Sequence, residues 1–290
     1  MLGMSGSGYG YLQLVDGGRV TGQQMIGVGG YGRGVCHLYG GEVDIAGGIE
    51  VENCNNGLAT LYVTNTVIQL KSEQYLRAGN GNASHATVVV DGPGAGILGP
   101  SGTYANQSSE ARVVFSLVNG GRLRTYYFVE YQKNGTTKYE NPCVVALDGG
   151  VVEIYYDSNL FGADPAKTPK VVVGAAGGTI DTLAGKTYTQ YAHVPLSGET
   201  SNGILSVNLP DGEVSGLVGA PHVWASAGGG FGAALVADWD PVRRVLKGVK
   251  VCSPGWGYDP ATVKVTLSCG ADWSKTLTAD DITVGATETG

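Results

Sequence analysis

Four phenylalanines in 290 residues, set against sixteen tyrosines, leave this chain with few of the side chains that usually fill a globular core. Charge is equally sparse: 15% of residues are Asp, Glu, Lys or Arg, with a net charge of −7. An acidic chain of this kind lacks the basic face that a nucleic-acid partner requires. No run of about 18 apolar residues is present, so no helical membrane span is expected. The five cysteines contain no Cys-x-x-Cys pair and are odd in number, which argues against a zinc knuckle or a disulfide framework. The four histidines, His37, His85, His193 and His222, stand singly and form no His-x-x-x-His ligand pair. The start, Met1 to Gly8, has neither the basic residues nor the apolar core of a secretory signal. Neither end reads as a polar cap, so the chain is expected to be a segment of a longer protein.

What the chain has in excess is glycine, 49 residues of it, and the glycines recur in order. Gly8 to Val20 and Gly32 to Val43 carry one pattern twice: a Gly-x-Gly pair, a short alternating strand, a double glycine and a second strand. The double glycines (Gly17-Gly18 and Gly40-Gly41) and the second strands (Val20 and Val43) both repeat after 23 residues. A fixed period in the twenties, made of short strands and glycine turns, marks a β-solenoid. Each strand has too few inward side chains to form a core alone, and stacking coil on coil buries them in one column. Glycine serves the corners because it adopts positive φ at little steric cost.

Gly57 to Val67 reads as a third coil, with Leu61 following Leu38 by 23 residues and Thr64-Asn65 replacing the double glycine. Lys71 to Gly79 is the most helix-like run, or else a loop. From His85 to Val173 the repeats blur, with strands expected at Thr87–Val90, Arg112–Val118 and Thr125–Tyr131, while Val144 to Ile154 brings back the Asp-Gly-Gly corner of Asp16 to Gly18. Asn119-Gly120-Gly121 and Lys133-Asn-Gly135 supply turns between them. Asp157 to Lys170 is expected to be an excursion loop. Residues 171–185, 186–191 and 204–209 then read as further coils, cornered at Leu196-Ser-Gly198 and Pro210-Asp-Gly212. After Gly228 the texture changes, and Val245–Val251 with Thr262–Leu267 predicts an antiparallel hairpin. The expected organisation is a solenoid over residues 1–227 with an irregular middle, and a hairpin module, or the continuation of a longer chain, over 228–290.

With these residues in view, the chain resembles the passenger region of Gram-negative autotransporter-type surface proteins. Gly32 to Val43 looks like a passenger repeat, Gly177-Gly-Thr-Ile-Asp-Thr182 with Pro195-Leu-Ser-Gly198 resembles another recurrent passage, and Gly248 to Leu267 a third. The resemblance implies a right-handed parallel β-helix at the cell surface or outside a bacterium, exported by a signal outside this segment. It carries over no catalytic residue, because the matching positions are structural corners.

Several patterns of chemistry are weighed against plainer uses. Gly27 to Gly32 fits Gly-x-Gly-x-x-Gly, but no amphipathic helix follows, so a solenoid corner is expected instead of a dinucleotide site. Paired carboxylates (Asp238 with Asp240, Asp280 with Asp281, and Asp44 or Asp181) are the enzymatic possibility, since glycosidases work with two acids. Asp240-Pro241 is equally an ordinary turn opener, and solvated turns are the preferred reading. Trp239, Trp256 and Tyr258 are the possible glycan contacts, because aromatic faces stack on sugar rings, although filling the core of the terminal module is the preferred use of Trp224, Trp239, Trp256 and Trp273. Cys36 is expected inside as a small apolar residue and His37 outside. Cys252 and Cys269 are read as inert packing, with pairing the alternative in an oxidising compartment.

The sequence therefore predicts an all-β, right-handed parallel β-helix with a small C-terminal antiparallel module. Its expected role is non-enzymatic: a stiff, adhesin-like spacer exposing tyrosine, asparagine and threonine to surface glycans or a neighbouring surface, with no catalytic, metal or cofactor residues. The alternatives are a polysaccharide lyase or glycoside hydrolase on the same scaffold, and a phage tail-spike-like receptor binder.

Overall fold

The computed structural model describes residues 2–3, 8–71, 74–99, 101–105, 111–130, 143–157, 160–161, 169–188 and 201–287. Its first part is a parallel β-solenoid with three sheets. Sheet I runs Tyr9–Leu14, Arg33–Leu38, Leu58–Thr64, His85–Asp91, Arg112–Val118, Val144–Asp148 and Lys170–Val173, each strand paired with the next. Sheet II stacks Arg19–Gly22, Glu42–Ile45, Val67–Leu70, Gly96–Leu98, Arg122–Thr125, Gly150–Ile154 and Gly178–Thr182. Sheet III stacks Ile26–Val28, Ile49–Val51, Tyr75–Ala78, Gly102–Ala105 and Phe128–Glu130. The inward column is apolar from coil to coil: Cys36, Leu61, Val88, Phe115 and Val145 from sheet I meet Ile68, Ile97, Leu123 and Val152 from sheet II.

The corner between sheets I and II explains the repeat. Gly17, Gly41, Asn65, Gly92, Gly120 and Gly177 all have positive φ there. Asn65 at +51° occupies the position that glycine fills in other coils, as its tolerance of the left-handed region allows. The 23-residue repeat holds on sheet II, where Val20 is partnered with Val43. On sheet I, Leu38 is partnered with Val63, two residues beyond Leu61, and Leu61 stacks on Cys36. The coils lengthen at their corners while the strands keep register.

Four local expectations are corrected. Tyr75–Ala78 is a strand of sheet III, with Leu76 and Ala78 buried inward and Tyr75 and Arg77 outward, and not a helix. The run from Thr125 onward is two strands, because the chain bends at Tyr126-Tyr127 between Arg122–Thr125 and Phe128–Glu130. Ile204 to Leu209 is no coil: Ser201–Val207 pairs antiparallel with Ile282–Thr287. Val245–Trp256 pairs with Phe231–Asp240, while Lys264–Cys269 is flanked by His222–Ala227 and Trp273–Leu277. The expected hairpin partners are thus in different sheets. The turns at Lys133 to Gly135 and Leu196 to Gly198, most of the Asp157 to Lys170 loop and the end of the 186–191 coil lie outside the described residues.

The antiparallel strands lie against the outer face of sheet I. Tyr62, Val89, Val114, Val144, Ala146 and Val172 from that face form one buried cluster with Ala234, Val236, Cys252 and Trp256. Val35 joins a second cluster built on Val223, Leu235, Trp239, Leu246 and Val265. Sheet I is therefore buried on both sides, which is why Val88-Val89-Val90 reads as a continuous apolar run and not as an alternation. Polar groups pin the junction. Asp91 accepts hydrogen bonds from Tyr62 at 2.8 Å and Asn119 at 2.8 Å and is ion-paired with Lys250. Ser116 Oγ donates to the Cys252 carbonyl at 2.9 Å.

Candidate functional site

The residues singled out as glycan contacts are inside this junction. Trp239, Trp256 and Tyr258 are 4%, 8% and 4% exposed, so their ring faces are taken by protein. Trp239 Nε1 donates to Gln13 Oε1 at 3.2 Å, and Trp256 packs edge-on against Phe231 at 4.2 Å between centroids. Their role in the structure is to fill the seam. Trp224 and Trp273 are half-buried.

The acids scatter. Asp240 opens a turn, accepting from the Val242 and Arg243 amides at 3.0 and 2.9 Å, and pairs with Lys247 at 3.0 Å; Asp238 is exposed beside it. Hydrogen bonds from the Arg243 amide and Lys247 hold Asp240 below the usual carboxylate range. Asp44 faces Arg19 at 3.8 Å on an exposed strand, and Asp181 lies on the exposed strand Gly178–Thr182 of the same sheet, five coils away. Asp280 and Asp281 form a single helical turn in which Asp281 caps the Thr278 amide. Gly27 to Gly32 is a corner, with Gly29 at φ +75°. His37 does face away from the solenoid core, but the antiparallel strands cover it. Its Nδ1 meets the Tyr39 hydroxyl at 2.7 Å, and burial pushes its pKa down to about 3. His222 is buried likewise, Nδ1 bonded to Thr60 Oγ1 at 2.8 Å and its pKa lowered to about 3. His193 lies outside the described residues. All five cysteines are free; Cys252 and Cys269 are both buried, and burial raises the Cys252 thiol to about 12. Among the described residues no three His, Cys, Asp or Glu side chains come together as metal ligands would.

A cavity of about 230 Å³ lies where the last strands of sheet I meet the antiparallel strands, lined by Ala146, Val172, Leu205, Trp256 and Ala286, and two further surface features carry clustered aromatic rings. The larger is a strip of tyrosines along the edge between sheets II and III. At the first position of sheet III, glycine and tyrosine alternate up the stack: Gly48, Tyr75, Gly102 and Tyr127 follow one another in register. The glycines leave room for the rings, since a Cβ on Gly102 would stand 2.5 Å from the Tyr127 ring. Tyr104 from the neighbouring column bonds to the Tyr127 hydroxyl, with ring centroids 5.6 Å apart. The strip continues through Tyr126, 5.2 Å from Tyr127, to Tyr156 at 4.8 Å and on to Tyr155. Tyr156 is 52% exposed. The Arg77 guanidinium lies 4.5 Å over the Tyr75 ring, and Lys186 lies 5.1 Å over Tyr156.

The charges beside the strip are neutralised in place. Arg77 pairs with Glu50 at 3.1 Å, and Tyr75 and Asn53 donate to the same carboxylate. Glu153, almost fully buried, takes Arg122 at 3.4 Å and Arg124 at 2.6 Å. Both oxygens of Glu153 are thus taken by arginines, and Glu50 and Glu153 are four coils apart. What the flank offers is a row of aromatic faces and edges with hydroxyls, on a rigid support.

The smaller feature is a cleft of about 40 Å³ where the antiparallel strands meet the middle of sheet I. His85, Thr87 and Arg112 line its floor, and Trp224, Phe231 and Tyr258 its walls. Gly230 forms part of one side and lies close on Tyr258, since a Cβ there would stand 2.4 Å from that ring.

By fold, the chain is a parallel β-solenoid with one face covered by antiparallel sheets. No protein-family model, curated protein or solved structure matches it. Among the described residues no helix is long and apolar enough to cross a membrane.

Proposed function

We propose that the protein is a non-catalytic, adhesin-like solenoid of a bacterial surface or secreted protein, of the passenger type its glycine repeats resemble. Its working surface in this reading is the tyrosine strip, which holds uncharged stretches of surface glycans weakly. The single observation that carries the reading is the strip itself. Six tyrosines from successive coils touch in sequence from Tyr75 to Tyr155, on a sheet edge that no other described element covers. Aromatic faces give apolar contact to the carbon-bound hydrogens of a sugar ring while their hydroxyls serve its rim. Because Arg77, Arg122 and Arg124 already have carboxylate partners, the flank favours a neutral ligand.

A glycan array read together with a polysaccharide-cleavage assay tests this. Binding without product, reduced by the double substitution Tyr104→Ala with Tyr156→Ala, is the expected result. Release of oligosaccharides, abolished by Asp238→Asn or Asp181→Asn, would replace this reading with the polysaccharide-cleaving one. A trimer in solution would instead favour the tail-spike-like alternative.

A further inference from the structure

We propose that the cleft floored by His85 and Arg112 is a carboxylate subsite, which takes the acid group of an acidic sugar while Trp224 packs against the sugar ring. This deepens the reading of the protein as a glycan binder and rests on it for the sugar, though not for the anion.

Three observations converge. His85 and Arg112 are register partners on adjacent strands of sheet I, so their side chains stand together on its outer face. Their proximity is felt electrostatically: burial first, and the Arg112 charge second, lower the His85 pKa to about 4. The imidazole is therefore neutral at pH 7 and can offer one N–H to an anion without adding a charge that must be desolvated. His85 is half-buried, its ring lines the cleft, and neither ring nitrogen is hydrogen-bonded to a described residue. Arg112 is likewise without an acceptor among the described residues, whereas Arg19, Arg77, Arg122, Arg124 and Arg243 each hold a carboxylate.

Charge and size narrow the ligand class. A cleft of about 40 Å³ is too small for a whole sugar and has room for an anionic group such as a carboxylate. The body of the ligand must then lie outside, against Trp224, which stands 6.4 Å from His85 between ring centroids and keeps part of its face open. Thr87 adds a hydroxyl at the floor. A planar guanidinium, a neutral imidazole and an aromatic wall together suit a carboxylate carried on a saturated ring.

The test titrates the intact chain with uronate oligosaccharides, followed by calorimetry and tryptophan fluorescence. Neutral oligosaccharides of equal length and an acidic peptide serve as comparison probes. Expected are saturable binding of the uronate, weakened by added salt, and an affinity reduced at least about tenfold in Arg112→Gln. Trp224→Phe should remove the fluorescence change while the heat persists. Arg112 is exposed, so its substitution leaves the fold intact, which circular dichroism verifies. Equal uronate affinity in Arg112→Gln, no binding at millimolar uronate, or equal Arg112-dependent binding of the peptide would each overturn the proposal. Tyr104→Ala with Tyr156→Ala should weaken only the neutral ligands. Loss of neutral binding alone would therefore fault the tyrosine strip and leave the cleft standing.

Discussion

Sheet I and the edge between sheets II and III belong to the same coils but meet different surroundings. On sheet I both faces are dry: Val88 and Val90 point into the solenoid, Val89 into the seam with the antiparallel strands. At the tyrosine edge one face is dry and the other wet, so Tyr75, Leu76, Arg77 and Ala78 alternate. The solenoid thus buries one flank under the antiparallel strands and leaves the outer side of another open to solvent. The difference also decides what a polar residue does. On sheet I, Asp91 and Ser116 are buried and bonded internally, and His37 is bonded through Nδ1 while its buried Nε2 has no partner among the described residues; on the edge, Tyr156 and Lys186 need no such partner to be tolerated.

Acid should break this contrast most forcefully. The pKa values of His37 and His222 lie near 3 in the fold, below their ordinary value, so their neutral forms contribute stability that is complete above about pH 6.5 and lost as pH falls toward 3. Each should cost about 3 kcal/mol at pH 4. Both sit in the seam, so the antiparallel strands should release first, seen as a shift in tryptophan emission before the far-ultraviolet signal of the solenoid falls. Simultaneous loss of both signals would contradict the separation. Glu52 works in the opposite sense. Burial raises its carboxyl to about 7, only partly offset by hydrogen bonds to Ser84 and the Cys54 and Gly81 amides. Stability from its neutral form is present below about pH 4.5 and lost as pH rises through 7. The Tm should therefore peak on the acid side of neutrality, and Glu52→Gln should flatten the alkaline side.

Within the core, Phe115→Ala should cost about 3–5 kcal/mol by chemical denaturation, since Phe115 is fully buried and packs on Phe128 at 4.8 Å. A smaller effect is expected at the seam. Burial pushes the Asp91 carboxyl up, but hydrogen bonds from Lys250, Asn119 and Tyr62 outweigh it and leave it below its usual value. Lys250→Met keeps two of those bonds and should cost about 1–2 kcal/mol, because the lysine is partly solvated. The smallest change belongs to the edge: Tyr156→Ala should alter stability by no more than about 0.5 kcal/mol while reducing glycan binding. A stability loss as large as that of Phe115→Ala would make the edge structural and not a contact surface.

How far the sequence reveals this depends on the range of each interaction. The corner glycines are legible because positive φ is a local demand, and Asn65 declares itself for the same reason. The strand Tyr75–Ala78 is obscured by its neighbours Lys71 to Gln74, whose polarity suggests a loop or helix. The bend at Tyr126-Tyr127 carries no Gly, Asn or Pro, so two strands read as one. Antiparallel partners are chosen across many residues, and the turn residues that follow Trp256 say nothing about which strand returns. Trp239 and Trp256 fill a core, the use preferred for them in the sequence, whereas composition alone does not tell which face a later sheet will cover. The tyrosine strip had a signal: Gly48, Tyr75 and Gly102 recur at 27 residues, the length of those coils and not of the first two.

Hydroxyl-radical footprinting of the intact chain, read residue by residue by mass spectrometry, tests the central division most directly. The account predicts strong modification of Tyr156 and Tyr31 and protection of Trp239, Trp256 and Tyr258. Adding a bound oligosaccharide should then protect Tyr156 and leave Tyr31 unchanged. Ready oxidation of Trp239 and Trp256 at neutral pH, with Tyr156 protected before any ligand is added, would contradict it.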